Sequence, residues 1–222
     1  LVLPALLKLV QDLDRTVRAP AVMGLATYAD KVQPTGKRAE EVEKALSTFL
    51  SQGDNEERQL ALKAAARSRM PSVVRQGASD ADEEIRLEAV RVAGGMGPLG
   101  LEVLQAAASD RSTLVRAEAI RHLAGTTGEG ARQVLPIFEA MLRSGDAAAR
   151  RAGVLALGDL TGASEAATHL LGTVLRQRGE SLRAAAAEAL GRIATREPAA
   201  AAPFLEEALE DPAFDVRSAA AV

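Results

Sequence analysis

A short motif built around an arginine recurs along the whole chain and limits its fold more than any other feature. In each copy the arginine is followed three residues later by alanine or glycine. The seven anchor arginines are Arg18, Arg58, Arg86, Arg116, Arg150, Arg183 and Arg217. Successive anchors are 40, 28, 30, 34, 33 and 34 residues apart. A fixed anchor with drifting spacing is typical of equivalent units joined by loops of varying length. We therefore predict a repeat protein with about seven units.

The residues between the anchors favour two helices in each unit. Aromatic residues make up 2% of the chain and Trp is absent, so Ala, Leu and Val must supply most of the interior. Ala and Leu are also good helix formers, and we predict that the second helix of each unit starts just before its anchor arginine. The clearest pairs are predicted over 100–108 and 113–123, over 131–143 and 146–160, and over 163–177 and 181–194. In the unit anchored at Arg18, Pro20 predicts a late start or a kink in the second helix. The 40-residue spacing between Arg18 and Arg58 predicts a longer connection around 29–39.

An aspartate lies six residues before the anchor arginine in four units. These aspartates are Asp12, Asp80, Asp110 and Asp211. Because the same pair of residue types recurs at several levels of the chain, we expect the Asp and Arg side chains to form a ladder of hydrogen bonds between successive turns. The role of this ladder is expected to be structural, so that Arg116→Ala should lower the melting temperature. The small residue after each anchor lies about one helical turn from the residue before the anchor and lets neighbouring helices approach closely.

The pattern Asp-x5-Arg-x2-Ala, followed in two units by Leu157-Gly158 and Leu190-Gly191, resembles the HEAT repeat family. It is most similar to the bacterial subgroup named for its likeness to phycobilisome lyases, and the resemblance covers essentially the whole chain. It implies an all-α fold, a right-handed α-solenoid of about seven helical hairpins, with one solenoid over residues 1–222. Neither end carries the polar cap that a terminal repeat needs. We therefore expect a piece of a longer protein, or end-to-end self-association.

The residues that catalysis would require are scarce. There is no Cys, and the two histidines, His122 and His169, fall in different units, so we predict no catalytic residue, no metal site and no cofactor. The 27 basic and 30 acidic residues give a net charge of −3, which argues against a dedicated nucleic-acid binder. No apolar run is long enough to span a membrane. We expect a cytoplasmic protein, with a signal on a longer parent chain left open.

A predicted binding surface follows from the register of the repeats. In HEAT arrays the second helices line the concave face, and the position five residues after each anchor should form a row across it. That row reads Met23, Lys63, Arg91, Arg121, Leu155, Glu188 and Val222. Its centre is basic, and Arg67 lies in a stretch from 58 to 79 that contains five basic residues and no acidic one. We call Lys63, Arg67, Arg91 and Arg121 the basic row and predict that it binds an acidic peptide or protein.

Other interpretations of these charges stay open at the level of sequence. The basic row could be ordinary variation of a solvated surface. It could also bind a phosphate backbone, although the overall charge makes nucleic acid an unfavoured partner. The resemblance to the lyase-like subgroup leaves a third possibility, an enzyme or an enzyme accessory. Reversing the charge of Lys63, Arg91 and Arg121 should abolish partner capture if the first prediction is correct.

Overall fold

The computed structural model describes residues 2–126, 129–161 and 163–221. Across these residues all regular secondary structure is helical, which confirms the all-α prediction. The α-helices are α1 (Val2–Leu9), α2 (Arg15–Val32), α3 (Lys37–Gln52), α4 (Asn55–Arg67), α5 (Pro71–Ala78), α6 (Glu83–Gly94), α7 (Leu101–Ala107), α8 (Thr113–Ala124), α9 (Glu129–Leu142), α10 (Ala147–Asp159), α11 (Ser164–Leu175), α12 (Glu180–Ala194), α13 (Pro198–Leu209) and α14 (Phe214–Ala220). A short 3-10 helix, Gly97–Gly100, leads into α7.

The helices alternate between two layers. Every anchor arginine lies on an even-numbered helix, which we call a second helix, and the odd-numbered helices are the first helices of the hairpins. The chain forms two compact bodies, one up to Ala119 and one from Ile120. Inside each body second helices pack on second helices, as α2 does on α4 and α10 on α12, and first helices pack on first helices, as α3 does on α5 and α11 on α13. Each body is therefore a stack of helical hairpins, the α-solenoid arrangement. A single solenoid over 1–222 stays a prediction.

The starts of the second helices are fixed by a side chain four residues before the anchor. Asp14, Asp54, Asp82 and Asp146 each precede their helix and accept a backbone N–H from its first turn. Ser112 does the same for α8 through its hydroxyl oxygen. A side-chain oxygen here satisfies a backbone donor that the helix itself leaves unpaired. This second register of polar residues was present in the sequence and had not been predicted.

The small residue three positions after the anchor is buried in six of the seven repeats. Its fractional exposure is 4% for Ala21 and zero for Ala61, Ala89, Ala119 and Ala186, while Gly153 occupies the position in the fifth repeat and is also buried. Small side chains here bring the two layers and the neighbouring hairpins into contact. This packing agrees with the prediction that the small residue in Arg-x2-Ala lets neighbouring helices approach closely.

The structure corrects two local predictions about the first repeat, the late start of the helix that contains Pro20 and the long connection around 29–39. Pro20 lies inside α2, which already starts at Arg15, so the helix does not start late. In this position proline removes only one backbone hydrogen bond of the helix, and the surrounding packing tolerates the loss. The long first spacing is not a long connection either, because only residues 33–36 separate α2 from α3. The extra length lies in the two helices, which have 18 and 16 residues.

Candidate interaction surface

Six of the seven anchor arginines, all except Arg58, hydrogen-bond to the loop that precedes their own helix. Nη1 of Arg86 donates to the backbone carbonyls of Asp80 and Ala81, both at 3.0 Å. The same pair of carbonyls, six and five residues before the anchor, is bound by Arg18, Arg116 and Arg217. Arg150 and Arg183 bind the carbonyl six residues before them. The planar guanidinium suits this task, since it offers several donors in fixed directions.

The other nitrogens of the guanidinium reach the aspartate of the next repeat. Arg86 binds Asp110 with both Nε and Nη2, at 2.9 and 3.1 Å, and both side chains are largely buried. Arg183 binds Asp211 in the same way at 2.7 and 3.0 Å. Arg58 reaches both carboxylate oxygens of Asp80 through Nη1, at 2.8 and 2.9 Å. The Arg-Asp pattern of the sequence thus corresponds to hydrogen bonds between successive repeats.

The aspartates also shape the loops in which they lie. Asp110 accepts the backbone N–H of Ser112, and Asp211 accepts that of Ala213. Burial pushes the pKa of Asp110 up, but the hydrogen bonds from Arg86 and Ser112 outweigh burial and hold the pKa below its ordinary value. The hydrogen bond from Arg183 is the main reason why the pKa of Asp211 is also lowered. These carboxylates are therefore charged structural groups at neutral pH. Their purely structural role stays a prediction that a melting experiment can test.

One member of this ladder was missed from the sequence. Gln52 stands six residues before Arg58, where four other repeats have Asp, and the carboxylate comes instead from Glu57. Arg18 donates to Glu57 through Nε at 2.9 Å, and Glu57 also accepts the backbone N–H of Asp54. Glu57 is only 5% exposed. The signal was visible, since Glu57 is a charged residue in the position before the anchor that other repeats fill with an apolar one.

The basic row is exposed on the second helices, as its register predicts. The side chains of Lys63 and Arg91 are 57% and 55% accessible, and that of Arg67 is 44% accessible. Arg121 is exposed on α8. In the same row of positions Met23 and Leu155 are half-buried, Glu188 is exposed, and Val222 lies outside the described residues.

Carboxylates that the sequence analysis had not considered lie between the basic side chains. Lys63 Nζ is 3.7 Å from Oε1 of Glu88, and Nη1 of Arg91 is 4.0 Å from Oε2 of the same residue. Arg91 Nε is 3.6 Å from Glu118. Arg67 lies 3.8 Å from Asp30. The centre of the row is thus a loosely paired set of charges and not a bare cationic stripe.

Each body has a cavity that opens on its described surface. The first has a volume of about 670 Å³ and lies between α1 and α3, where Phe49 and Val10 meet the Arg18–Glu57 ion pair. The second, of about 620 Å³, lies on the second helices α10, α12 and α14. Arg151 and Glu188 are among its lining residues. Both volumes fall in the range of small-molecule and peptide side-chain sites.

The histidines take no part in a cluster of metal-binding type. His169 packs edge-to-face on Phe204 with ring centres 5.6 Å apart, and within residues 2–126, 129–161 and 163–221 no group of three His, Cys, Asp or Glu side chains could hold a metal ion. Within the same residues, no helix is both long and apolar enough to cross a bilayer.

The stacked helical hairpins place the protein in the class of α-helical repeat proteins. The family model for HEAT repeats matches residues 71–144, 100–191 and 134–222, which together cover more than half of the chain. The chain belongs to the HEAT-repeat family. A search of curated proteins finds no match.

Solved structures similar to this chain include an engineered protein and a designed armadillo repeat protein. A crystal structure of an engineered protein from the Northeast Structural Genomics Consortium is 20% identical, covers 99% of this chain and has a TM-score of 0.46; this chain spans 66% of its length. A designed armadillo repeat protein in complex with the peptide (KR)4 is 17% identical over 99% of this chain and 96% of its own, with a TM-score of 0.42.

Proposed function

We propose that the protein is a non-enzymatic interaction scaffold that binds an acidic peptide or protein on the face formed by its second helices. The observation that carries the proposal is the basic row. Lys63, Arg67 and Arg91 extend from neighbouring second helices of one body, and about half of each side chain is accessible to solvent. The arginines of the ladder, in contrast, are held by the loops and by the next repeat, so they are committed to the fold.

The existing ion pairs of the basic row leave it available to a partner. The nitrogen-oxygen distances of 3.6 to 4.0 Å exceed those of good charge-assisted hydrogen bonds. Exposed pairs of this kind contribute roughly 0–1 kcal/mol each. A partner carboxylate can therefore replace or share these contacts at small cost. Complementary charge would also raise the association rate at low ionic strength.

A charge-reversal experiment tests this proposal. The variant Lys63→Glu/Arg91→Glu/Arg121→Glu should lose binding to a labelled acidic peptide that repeats Asp-Ser-Pro four times, while keeping its helicity. The matched control reverses three exposed cations outside the row, Lys31, Lys37 and Arg38, and so makes the same change in net charge.

Three outcomes decide the test. Retained binding in the control and lost binding in the row variant support the proposal, whereas equal binding by all three proteins contradicts it. Duplex DNA is used as a competitor, and salt-sensitive binding of DNA in preference to the acidic peptide would favour the phosphate-backbone alternative.

A second candidate function comes from the resemblance to the phycobilisome-lyase-like subgroup. The cavity of about 670 Å³ between α1 and α3 is the observation that favours it, because its mixed apolar and charged lining suits a small organic ligand. We propose, as the alternative to the scaffold, that the protein is an enzyme or an enzyme accessory. We also propose that it is a bacterial, cytoplasmic protein. A bound chromophore after co-expression with candidate ligands would support it, and wild-type binding by a variant in which Ala45→Phe fills the cavity would contradict it.

A further inference from the structure

Positive and negative side chains alternate along the basic row within one body. From α4 to α8 the order is Lys63, Glu88, Arg91 and Glu118, and neighbouring members lie 3.7, 4.0 and 3.6 Å apart. The carboxylates are the less accessible members. Glu88 and Glu118 are 16% and 20% exposed, against 57% and 55% for Lys63 and Arg91. The cations therefore extend beyond the carboxylates that separate them.

The helices set the spacing of this pattern. Lys63 lies on α4 and Arg91 lies at the equivalent register position on α6, five residues after their anchors. The two helices pack directly against each other. Packed helices lie about 8–10 Å apart, so the row repeats its positive charge at about that distance.

One peptide conformation matches this repeat distance. A polyproline II segment has three residues per turn and rises about 3.1 Å per residue, so every third side chain points in the same direction at intervals of about 9 Å. A β-strand does not fit as well, because residues three apart point to opposite faces. An extended polyproline II segment with carboxylates three residues apart would therefore place one on each successive cation.

The carboxylates of the row determine what the intervening positions can be. A peptide carboxylate placed between Lys63 and Arg91 would meet Glu88, and one placed beyond Arg91 would meet Glu118. Like charges at such distances repel each other, and part-burial of Glu88 and Glu118 reduces solvent screening. Neutral or basic side chains are acceptable at these positions.

We propose that the binding face selects an extended segment with a carboxylate at every third residue and no carboxylate between them. This inference rests on the proposed binding of an acidic partner, and it adds the spacing of the acidic residues in that partner. Glu88 and Glu118 are then specificity-determining residues: they disfavour runs of acidic residues, while Lys63 and Arg91 bind the correctly spaced ones.

Three labelled peptides test the register by fluorescence anisotropy with the full chain at low salt. The first repeats Asp-Ser-Pro four times. The second has the same composition but places its four Asp together at the centre. The third repeats Lys-Ser-Pro four times. We expect the first to bind about tenfold more tightly than the second, the size expected of two or three exposed ion pairs gained or lost. The third should bind least.

The outcomes separate the register from the function. If both Asp peptides bind equally well, and both bind more tightly than the Lys peptide, the proposed register is wrong but the proposed binding of acidic partners stands. If neither Asp peptide binds more tightly than the Lys peptide, both proposals are wrong. In the variant Glu88→Gln/Glu118→Gln the peptide with contiguous Asp should gain affinity until it matches the spaced one. The control Glu83→Gln/Glu84→Gln removes two exposed carboxylates at the start of α6 and should keep the tenfold ratio. An unchanged ratio in the first variant would also overturn the proposal.

Discussion

Two glycines in equivalent positions provide a sharp test of how closely the hairpins pack. Gly158 and Gly191 both follow a leucine near the end of a second helix, in α10 and α12, and both lie in the body from Ile120. A Cβ added to Gly158 would lie 2.8 Å from Cα of Ala189, 2.9 Å from its Cβ and 3.0 Å from its carbonyl oxygen. A Cβ added to Gly191 would meet nothing within 4 Å. The same substitution is therefore expected to have opposite effects.

The magnitudes follow from two competing contributions. Replacing glycine by alanine in a helix interior stabilises by about 0.5–1 kcal/mol through backbone entropy and helix propensity. At Gly158 the new methyl group meets a backbone that cannot rotate away, so α10 and α12 must separate, and overpacking of this kind costs about 1–3 kcal/mol. We expect Gly158→Ala to lower the free energy of unfolding by about 1–2 kcal/mol and Gly191→Ala to raise it by about 0.5–1 kcal/mol.

Urea and thermal unfolding followed by circular dichroism measure both variants. For a chain of this size 1 kcal/mol corresponds to about 2–4 °C in melting temperature, so the two variants should differ by at least about 3 °C. The reasoning about close approach is refuted if Gly158→Ala melts at or above the wild-type temperature. It is equally refuted if Gly191→Ala loses as much stability as Gly158→Ala, since the second glycine has room for a side chain.

Other perturbations test the ladder and the turns. Arg86→Ala should cost about 2–3 kcal/mol in urea unfolding, because it leaves the part-buried Asp110 carboxylate unpaired, and a wild-type midpoint would contradict this. The pKa of Asp110 is lower in the folded state than in the unfolded chain, so the stability contributed by its carboxylate is present above about pH 4 and is lost as pH falls through the folded-state pKa. Asp110→Asn should therefore flatten the acid side of a plot of melting temperature against pH. An unchanged slope would count against the Arg86–Asp110 ion pair as the cause. Arg69 lies two residues after the end of α4 and has a φ of 55°, a left-handed conformation, so Arg69→Gly should raise the melting temperature by about 1–4 °C, and a decrease would argue against strain there. Gln177→Asp should add about 1 kcal/mol in thermal unfolding by giving Arg150 the carboxylate that the repeat lacks, provided that the ladder is general; no gain would show that it is not.

The sequence predicted the helices well because their signals are local. The second helices at 113–123 and 181–194 were predicted to within a residue of the observed α8 and α12. An anchor arginine, an alanine one turn later and a polar cap all lie within a few residues of each other. The late start predicted from Pro20 was wrong because an isolated proline favours the first turn of a helix, whereas packing of α2 against α4 favours a helix that begins earlier.

The candidate site was less predictable, because its contacts join residues about 25–30 positions apart. The basic side chains Lys63 and Arg91 follow from the register, but their pairing with Glu88 and Glu118 depends on how neighbouring repeats align. Glu57 shows the same limit, since a missing Asp in one repeat is replaced by a carboxylate from another register. Sequence patterns fix which face a residue occupies, whereas the partner of a charge on that face depends on the stacking.

The division of the arginines into two sets has a consequence for how any partner binds. Arg86 and Arg183 are buried in the ladder and use their donors on carbonyls and aspartates, so they add nothing to the potential that a ligand meets. In the basic row, the charges of Lys63 and Arg91 are partly offset by Glu88 and Glu118. If the proposed binding holds, we expect affinity on this face to come from matching the alternation and not from total charge. A bare basic groove would bind acidic ligands of many sequences, and this binding would depend strongly on salt. We expect the alternating charges of this face to disfavour such binding.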